Sequence, residues 1–160
     1  MSRRTTNPAR PFPTMGWGTV ITYGLAAGAL GVAAMTMSEK IEQAITSRPS
    51  SYVPAKTLAR LVGVTAQSDQ QLFGLNMAMH YGQGAVAAVI RAIASYNGMR
   101  GPFTDFMFVG VRLLIDQTLE NWTGVGALPW TWPVGEQVVD ILHKAVYAFV
   151  TGYMVDKWIQ

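Results

Sequence analysis

Asp140 and His143 stand three residues apart, and Glu136, Tyr147 and Thr151 extend the same line at steps of four. At about 100° per residue, such steps hold one helical stripe. A second stripe runs through Asp105, Arg112, Asp116 and Glu120 at +7, +4 and +4, an arc of about 80°. His80 shares a face with Asn76 and Gln83. Glu39 and Glu42 close a line that begins at Gly24, Gly28, Gly31 and Met35. Carboxylates and imidazoles brought together can cancel one another as ion pairs, hold or pass on protons or a cation, or act on a substrate.

Each chemistry selects its own residues. Ion pairing needs only Arg112 with Asp116 and Lys144 with Asp140, both at i,i+4. Proton or cation handling would use His80, Asp116, Asp140 and His143 as a core, because His changes charge between about pH 5 and 8 unaided. Glu39, Glu120 and Glu136 would then ring the mouth, with Glu42 and Arg112 completing the cluster. An enzyme acting on a lipid-soluble substrate would take its acid and base from Asp116, Asp140, His80 and His143. A divalent metal would draw on His80, Asp140 and His143, with Asp116 and Glu39 as further oxygen donors. The paired E-x-x-H signature of two-metal bundles is missing, and Glu39-x-x-Glu42 is the nearest other spacing. No cofactor is therefore expected, a divalent metal being the one group this donor set could take. A structural or assembly subunit of a membrane complex would need the same residues only as pairs.

Other classes fall away on composition. There is no Cys, which excludes disulfides, thiolate metal sites and Cys nucleophiles. No G-x-x-x-x-G-K-S/T, G-x-G-x-x-G, H-E-x-x-H or G-x-S-x-G occurs. The net charge of +3 sits near chain ends and loops, not in the basic stripe that a nucleic-acid partner requires.

The elements that must position these groups follow from hydropathy. Half of the 160 residues are hydrophobic, 13% are charged, and the mean hydropathy is +0.22. A soluble domain usually carries about 25% charged residues. Gly16 to Met37 is an uncharged run of 22 residues, enough to cross a hydrocarbon core of about 30 Å. It exceeds the roughly 7–15 apolar residues of a signal peptide and continues helically through Ser38-Glu39-Lys40-Ile41-Glu42. Leu72 to Ile90 gives a second uncharged run, of 19 residues. Phe103 to Glu120 and Val134 to Ile159 each set a charged stripe against an apolar face. Such charges are tolerated in a membrane when they face a bundle interior. The alternative is a hairpin lying on the membrane surface, polar face to water.

These runs predict an all-α fold: an integral membrane four-helix antiparallel bundle, one domain over residues 16–160, after a disordered tail at 1–15. Residues 43–71 form a loop broken at Ser47–Ser51 and Pro54, with a short surface helix at Ala55 to Val62. Gly98 and Gly101-Pro102 make a tight connection. Trp122, Trp130 and Trp132 suit the headgroup level. In this arrangement all four helices deliver ionisable groups to one half of the bilayer. Six basic residues (Arg3, Arg4, Arg10, Arg91, Arg100, Lys157) against four (Lys40, Arg48, Lys56, Arg60) favour both termini inside, in an inner or plasma membrane. The expected partners are membrane lipids, a lipophilic ligand, and a second copy or membrane complex. Gly24-x-x-x-Gly28 would serve either that contact or an internal one.

The chain resembles the YagU-like family of small bacterial inner-membrane proteins. The likeness rests on the Gly/Ala-rich first span, on His80 in the polar face of the second, and on Leu128-Pro129-Trp130 followed by Glu136 and a His-bearing last helix. It runs over most residues from Gly16 onward, and departs at the charged third span with Arg112, Asp116 and Glu120. The resemblance implies membrane placement and, through the family's association with acid tolerance, a proton-related role.

Overall fold

Helix boundaries fall where the sequence supplies start and stop residues. In a computed structural model describing residues 15–159, the chain forms α1 (Trp17–Thr46), α2 (Val53–Val62), α3 (Asp69–Tyr96), α4 (Pro102–Trp122) and α5 (Val134–Trp158). A single 3-10 turn, Pro129–Thr131, precedes α5. Arg3, Arg4, Arg10 and nearly all of the expected tail lie outside the described residues. Ser68 caps α3 by accepting from the Gln71 amide at 3.3 Å, one of the donors a helix start leaves unpaired. Gly63 ends α2 at φ 71°, where a side chain would strain the backbone. Gly101, at φ 85°, turns the chain into α4 with Pro102 in its first turn.

The fold is all-α, with no strand among the described residues. Four long helices match the four runs read from sequence, and the short α2 is the surface helix foreseen at Ala55 to Val62. By length and apolar composition α1 and α5 could cross a membrane. The helices α3 and α4 fall short of that test, carrying Asn76, His80 and Gln83, and Asp105, Arg112 and Asp116, respectively.

Packing centres on α1, which lies against α3 on one side and α5 on the other. On its far side α5 meets α4, whereas α3 and α4 touch only slightly and α2 lies against α3. The α1–α3 contact is backbone-close. A Cβ on Gly28 would come 2.6 Å from the Gly84 carbonyl and from Ala88 Cβ, and one on Gly24 would come 2.9 Å from Val89 Cα. Gly31 faces Tyr147 and Thr151 of α5 in the same way. The Gly24-x-x-x-Gly28 pair therefore serves an internal contact, and no face is left there for a second copy. Small residues at this seam let the two backbones come into dispersion contact.

Charged residues share the interior with the apolar core, and large apolar side chains lie outside. Arg91, Asp105, Arg112, Asp116 and Lys144 are buried, while Leu30, Val86, Phe106, Leu114, Leu142 and Phe149 face outward from all four long helices. Large exposed apolar areas mark a surface that is covered by something other than water. The α4–α5 pair turns its charged stripes inward against the bundle, burying Arg112, Asp116, His143 and Lys144. The polar faces of these two helices therefore point into the bundle. Aromatic residues collect at both ends. Trp17 packs against Tyr96 at 5.1 Å and Tyr23 against Trp158 at 5.7 Å, both ring pairs tilted, and Trp122 and Trp130 are exposed at the opposite end.

Candidate functional site

The C-terminal turns of α1 and α4 and the N-terminal turns of α3 and α5 meet at one end of the bundle. There they enclose a cavity of ≈ 460 Å³. Glu39, His80, Arg112, Asp116, Glu120, Glu136, Asp140 and His143 all line it, so the structure brings together eight of the nine residues singled out from sequence. Segments 50–54 and 125–127, with Trp132, close its mouth.

The floor is a paired quartet. Asp116 accepts from Gln83 Nε2 at 2.7 Å and forms ion pairs with Arg112 Nη1 at 2.7 Å and Lys144 Nζ at 3.2 Å. Lys144 also donates to Asp140. The Arg112 guanidinium sits 5.3 Å over the Tyr147 ring, an attraction of cation to π-face, and neither its Nε nor its Nη1 makes a hydrogen bond among the described residues. Tyr147, fully buried, donates its hydroxyl to the Gly84 carbonyl at 2.5 Å. Two cations and two carboxylates cancel. Asp116 and Asp140, read from sequence as the core of a relay or an acid/base pair, are each committed to a cation. The i,i+4 reading of Lys144 also missed its reach across to α4.

Above this floor the groups are free. Among the described residues the carboxylates of Glu39 and Glu120 and the ring of His80 make no hydrogen bond or ion pair. Glu136 stands exposed at the rim. His143 is held by Ser38, Oγ to Nδ1 at 2.8 Å, and its Nε2 lies 3.8 Å from Glu42 Oε2. Glu42 is the exception among the nine. It turns away from the cavity to Arg48, which reaches its two oxygens at 3.0–3.3 Å, with Thr46 Oγ1 donating at 2.7 Å. That carboxylate raises the Arg48 pKa further above its ordinary value, chiefly through these hydrogen bonds. The three metal candidates, His80, Asp140 and His143, share the wall but not a centre. No three His, Asp or Glu side chains converge among the described residues.

A second charged network, absent from the sequence reading, occupies the other end of the bundle. Arg91 of α3, fully buried, donates through Nε to Asp105 Oδ1 at 2.9 Å and through Nη2 to Asp156 Oδ2 at 2.8 Å. The Gly101 amide also donates to Asp156, at 2.8 Å. Gly152 leaves the space that the Asp105 carboxylate fills. Ionisable groups therefore gather at two levels, not one. Arg91 is a tie between three helices, not a flanking charge. Its removal leaves five basic residues against four in the orientation count, too even to orient the chain. One signal was available: Arg91 lies seven residues after Gly84, on the small-residue face of α3.

The chain matches no protein-family model, and comparison with curated proteins and with solved structures gave no significant match.

Proposed function

We propose that this chain is a small multi-pass membrane protein with α1, α3, α4 and α5 as antiparallel spans. Its polar chamber takes up and releases protons or a cation at Glu39, Glu120 and His80. Support for the spans comes from the outward apolar faces of all four helices, the inward charges and the aromatic residues at both ends. At 21 residues, even the shortest of the four is about 31 Å long at 1.5 Å per residue. The resemblance to YagU-like proteins, with its link to acid tolerance, points the same way.

One observation carries the reading. Glu39 and Glu120 face a ≈ 460 Å³ chamber without partners, while the charges beneath them are paired. A carboxylate in a sheltered site needs a partner or a proton. Here the partner is the mobile species, and the Arg112–Asp116–Lys144–Asp140 quartet is the fixed floor that holds the helices at the right spacing.

The test is proton flux into vesicles reconstituted with the full chain and loaded with a pH-sensitive dye. After an acid step outside, the unaltered protein should acidify the lumen. The Glu39→Gln/Glu120→Gln pair should slow that flux at least tenfold while leaving the protein folded. Proton flux that is absent, or that persists in the double variant, rejects the proton form of the reading.

A second reading, acid/base chemistry on a lipid-soluble substrate, draws on the slight α3–α4 contact. Phe73 and Met77 line the chamber on that side. It predicts activity lost with Glu120→Gln in the absence of any flux.

A further inference from the structure

Resting on the cation-handling reading above, the geometry points to an organic cation as the occupant of the chamber: a quaternary ammonium or protonated amine carrying an apolar group. Size is the first argument. The ≈ 460 Å³ volume falls within the roughly 300–1,000 Å³ of small-molecule pockets. A bare metal cation would instead need a tight shell of oxygens, and the described residues offer no such grouping.

Charge is the second argument, taken element by element. On α1 the chamber meets Glu39 and Lys40, and the following loop brings Arg48. Lys40 is exposed at the rim, donating to Gln43 and Ser50, and Arg48 is bound to Glu42. On α3 it meets His80. On α4 it meets Arg112 and Asp116, which pair with each other, and Glu120, which pairs with nothing. On α5 it meets Glu136 at the rim, Lys144 clamped between Asp116 and Asp140, and His143 bonded to Ser38. With each buried cation matched to a carboxylate, the uncancelled charge of the interior is that of Glu39 and Glu120. Such a chamber attracts cations and repels anions.

The wall supplies the third argument. Tyr52, Phe73 and Trp132 line the cavity together with Met77, and π-faces beside free carboxylates are how proteins hold quaternary ammonium groups. Trp132 is pinned in this wall. Its indole N–H donates to the Ala127 carbonyl at 3.0 Å, and its own carbonyl accepts from Gln137 at 2.9 Å. Asn76, nine-tenths buried in the same wall, keeps its side-chain oxygen without a donor.

The test uses the full chain in detergent, titrated with benzyltrimethylammonium and followed by calorimetry and Trp fluorescence. Choline, sodium and benzoate serve as comparisons. Benzyltrimethylammonium should bind, choline about tenfold more weakly for want of a ring, and benzoate not at all. Affinity should drop as the pH is lowered and protons compete for the same carboxylates. Glu39→Gln/Glu120→Gln should weaken binding at least tenfold and Trp132→Leu about three- to tenfold. The Gln variants remove no contact, and an unchanged circular dichroism spectrum shows that they fold. Proton flux into vesicles without benzyltrimethylammonium binding would overturn the organic-cation assignment and leave the proton reading standing. Binding that survives the double variant, or binding of benzoate with equal affinity, would also overturn it. Probe binding without flux would support the occupant and remove the proton reading alone.

Discussion

Arg91 offers the sharpest test of how this bundle is held together. Its side chain has 0% exposure, and the carboxylates it meets are 8% (Asp105) and 20% (Asp156) exposed. Replacement by Met keeps much of the length and removes the charge. Asp156 retains the Gly101 amide at 2.8 Å, whereas Asp105 loses its only side-chain partner and faces Gly152 in an apolar seam. Breaking a buried pair by removing one member costs about 3–5 kcal/mol, because an uncompensated charge stays behind. That is a large part of a net stability of about 5–15 kcal/mol. Arg91→Met should therefore shift the unfolding midpoint strongly in mixed detergent–SDS titrations followed by circular dichroism. Arg91→Met/Asp105→Asn should recover about half of the loss, since the stranded charge is then gone. Arg48→Met, at the part-exposed rim, should barely move the midpoint. Should Arg91→Met lose no more stability than Arg48→Met, the three-helix tie is dispensable and the reasoning fails.

Other expectations follow from the same contacts. Gly28→Ala should destabilise by about 1–3 kcal/mol, since its Cβ meets backbone of α3. Gly82→Ala, on the same seam's neighbour helix but with open space around it, should stay within about 1 kcal/mol of the parent; equal effects in the same titration would refute the close α1–α3 approach. Tyr147→Phe should cost about 0.5–1.5 kcal/mol by removing the bond to the Gly84 carbonyl, measured as a midpoint shift. Leu114→Trp, on the outward face of α4, should be quenched most by lipids brominated deep in the acyl chain. An unquenched, water-like emission there would remove α4 from the membrane.

Much of the fold was legible because period and length act locally. The apolar run from Gly16, the stripe from Glu136 to Thr151 and the breakers at Ser47–Ser51 and Gly101-Pro102 place the helices to within a few residues, apart from the polar extension of α1 to Thr46. The gathering of Glu39, His80, Asp116, Glu120 and Asp140 around one cavity also follows from antiparallel order and depth. Pairing was less legible, because it depends on which helices are neighbours. Spacing along α5 ties Lys144 to Asp140, yet only the α4–α5 contact lets it reach Asp116 as well. Glu42 shares a helical line with Glu39 but turns to the α5 side, beside Val139 and Leu142, while the next residue, Gln43, still lines the cavity. Arg48 of the next loop captures it there. Arg91 followed an apolar run and preceded a glycine, which reads as a span end. Its buried role required Asp105 and Asp156 from two other helices, and no local pattern announces that meeting.

The Arg91–Asp105 tie has a bearing on how such a chain could enter a bilayer. If α3 and α4 span as proposed, each threaded singly would carry a charge into hydrocarbon. The cost is below the roughly 2.5–3.5 kcal/mol of a mid-depth charge, because Arg91 and Asp105 lie near their helix ends. The two residues lie 14 apart, on consecutive helices joined by a tight turn. A hairpin can neutralise both before either leaves the aqueous channel. Asp156, on the last helix, then arrives at a cation already in place. On this view the order of charges along the chain is an assembly sequence: the two polar helices enter as a couple, and the C-terminal helix locks them.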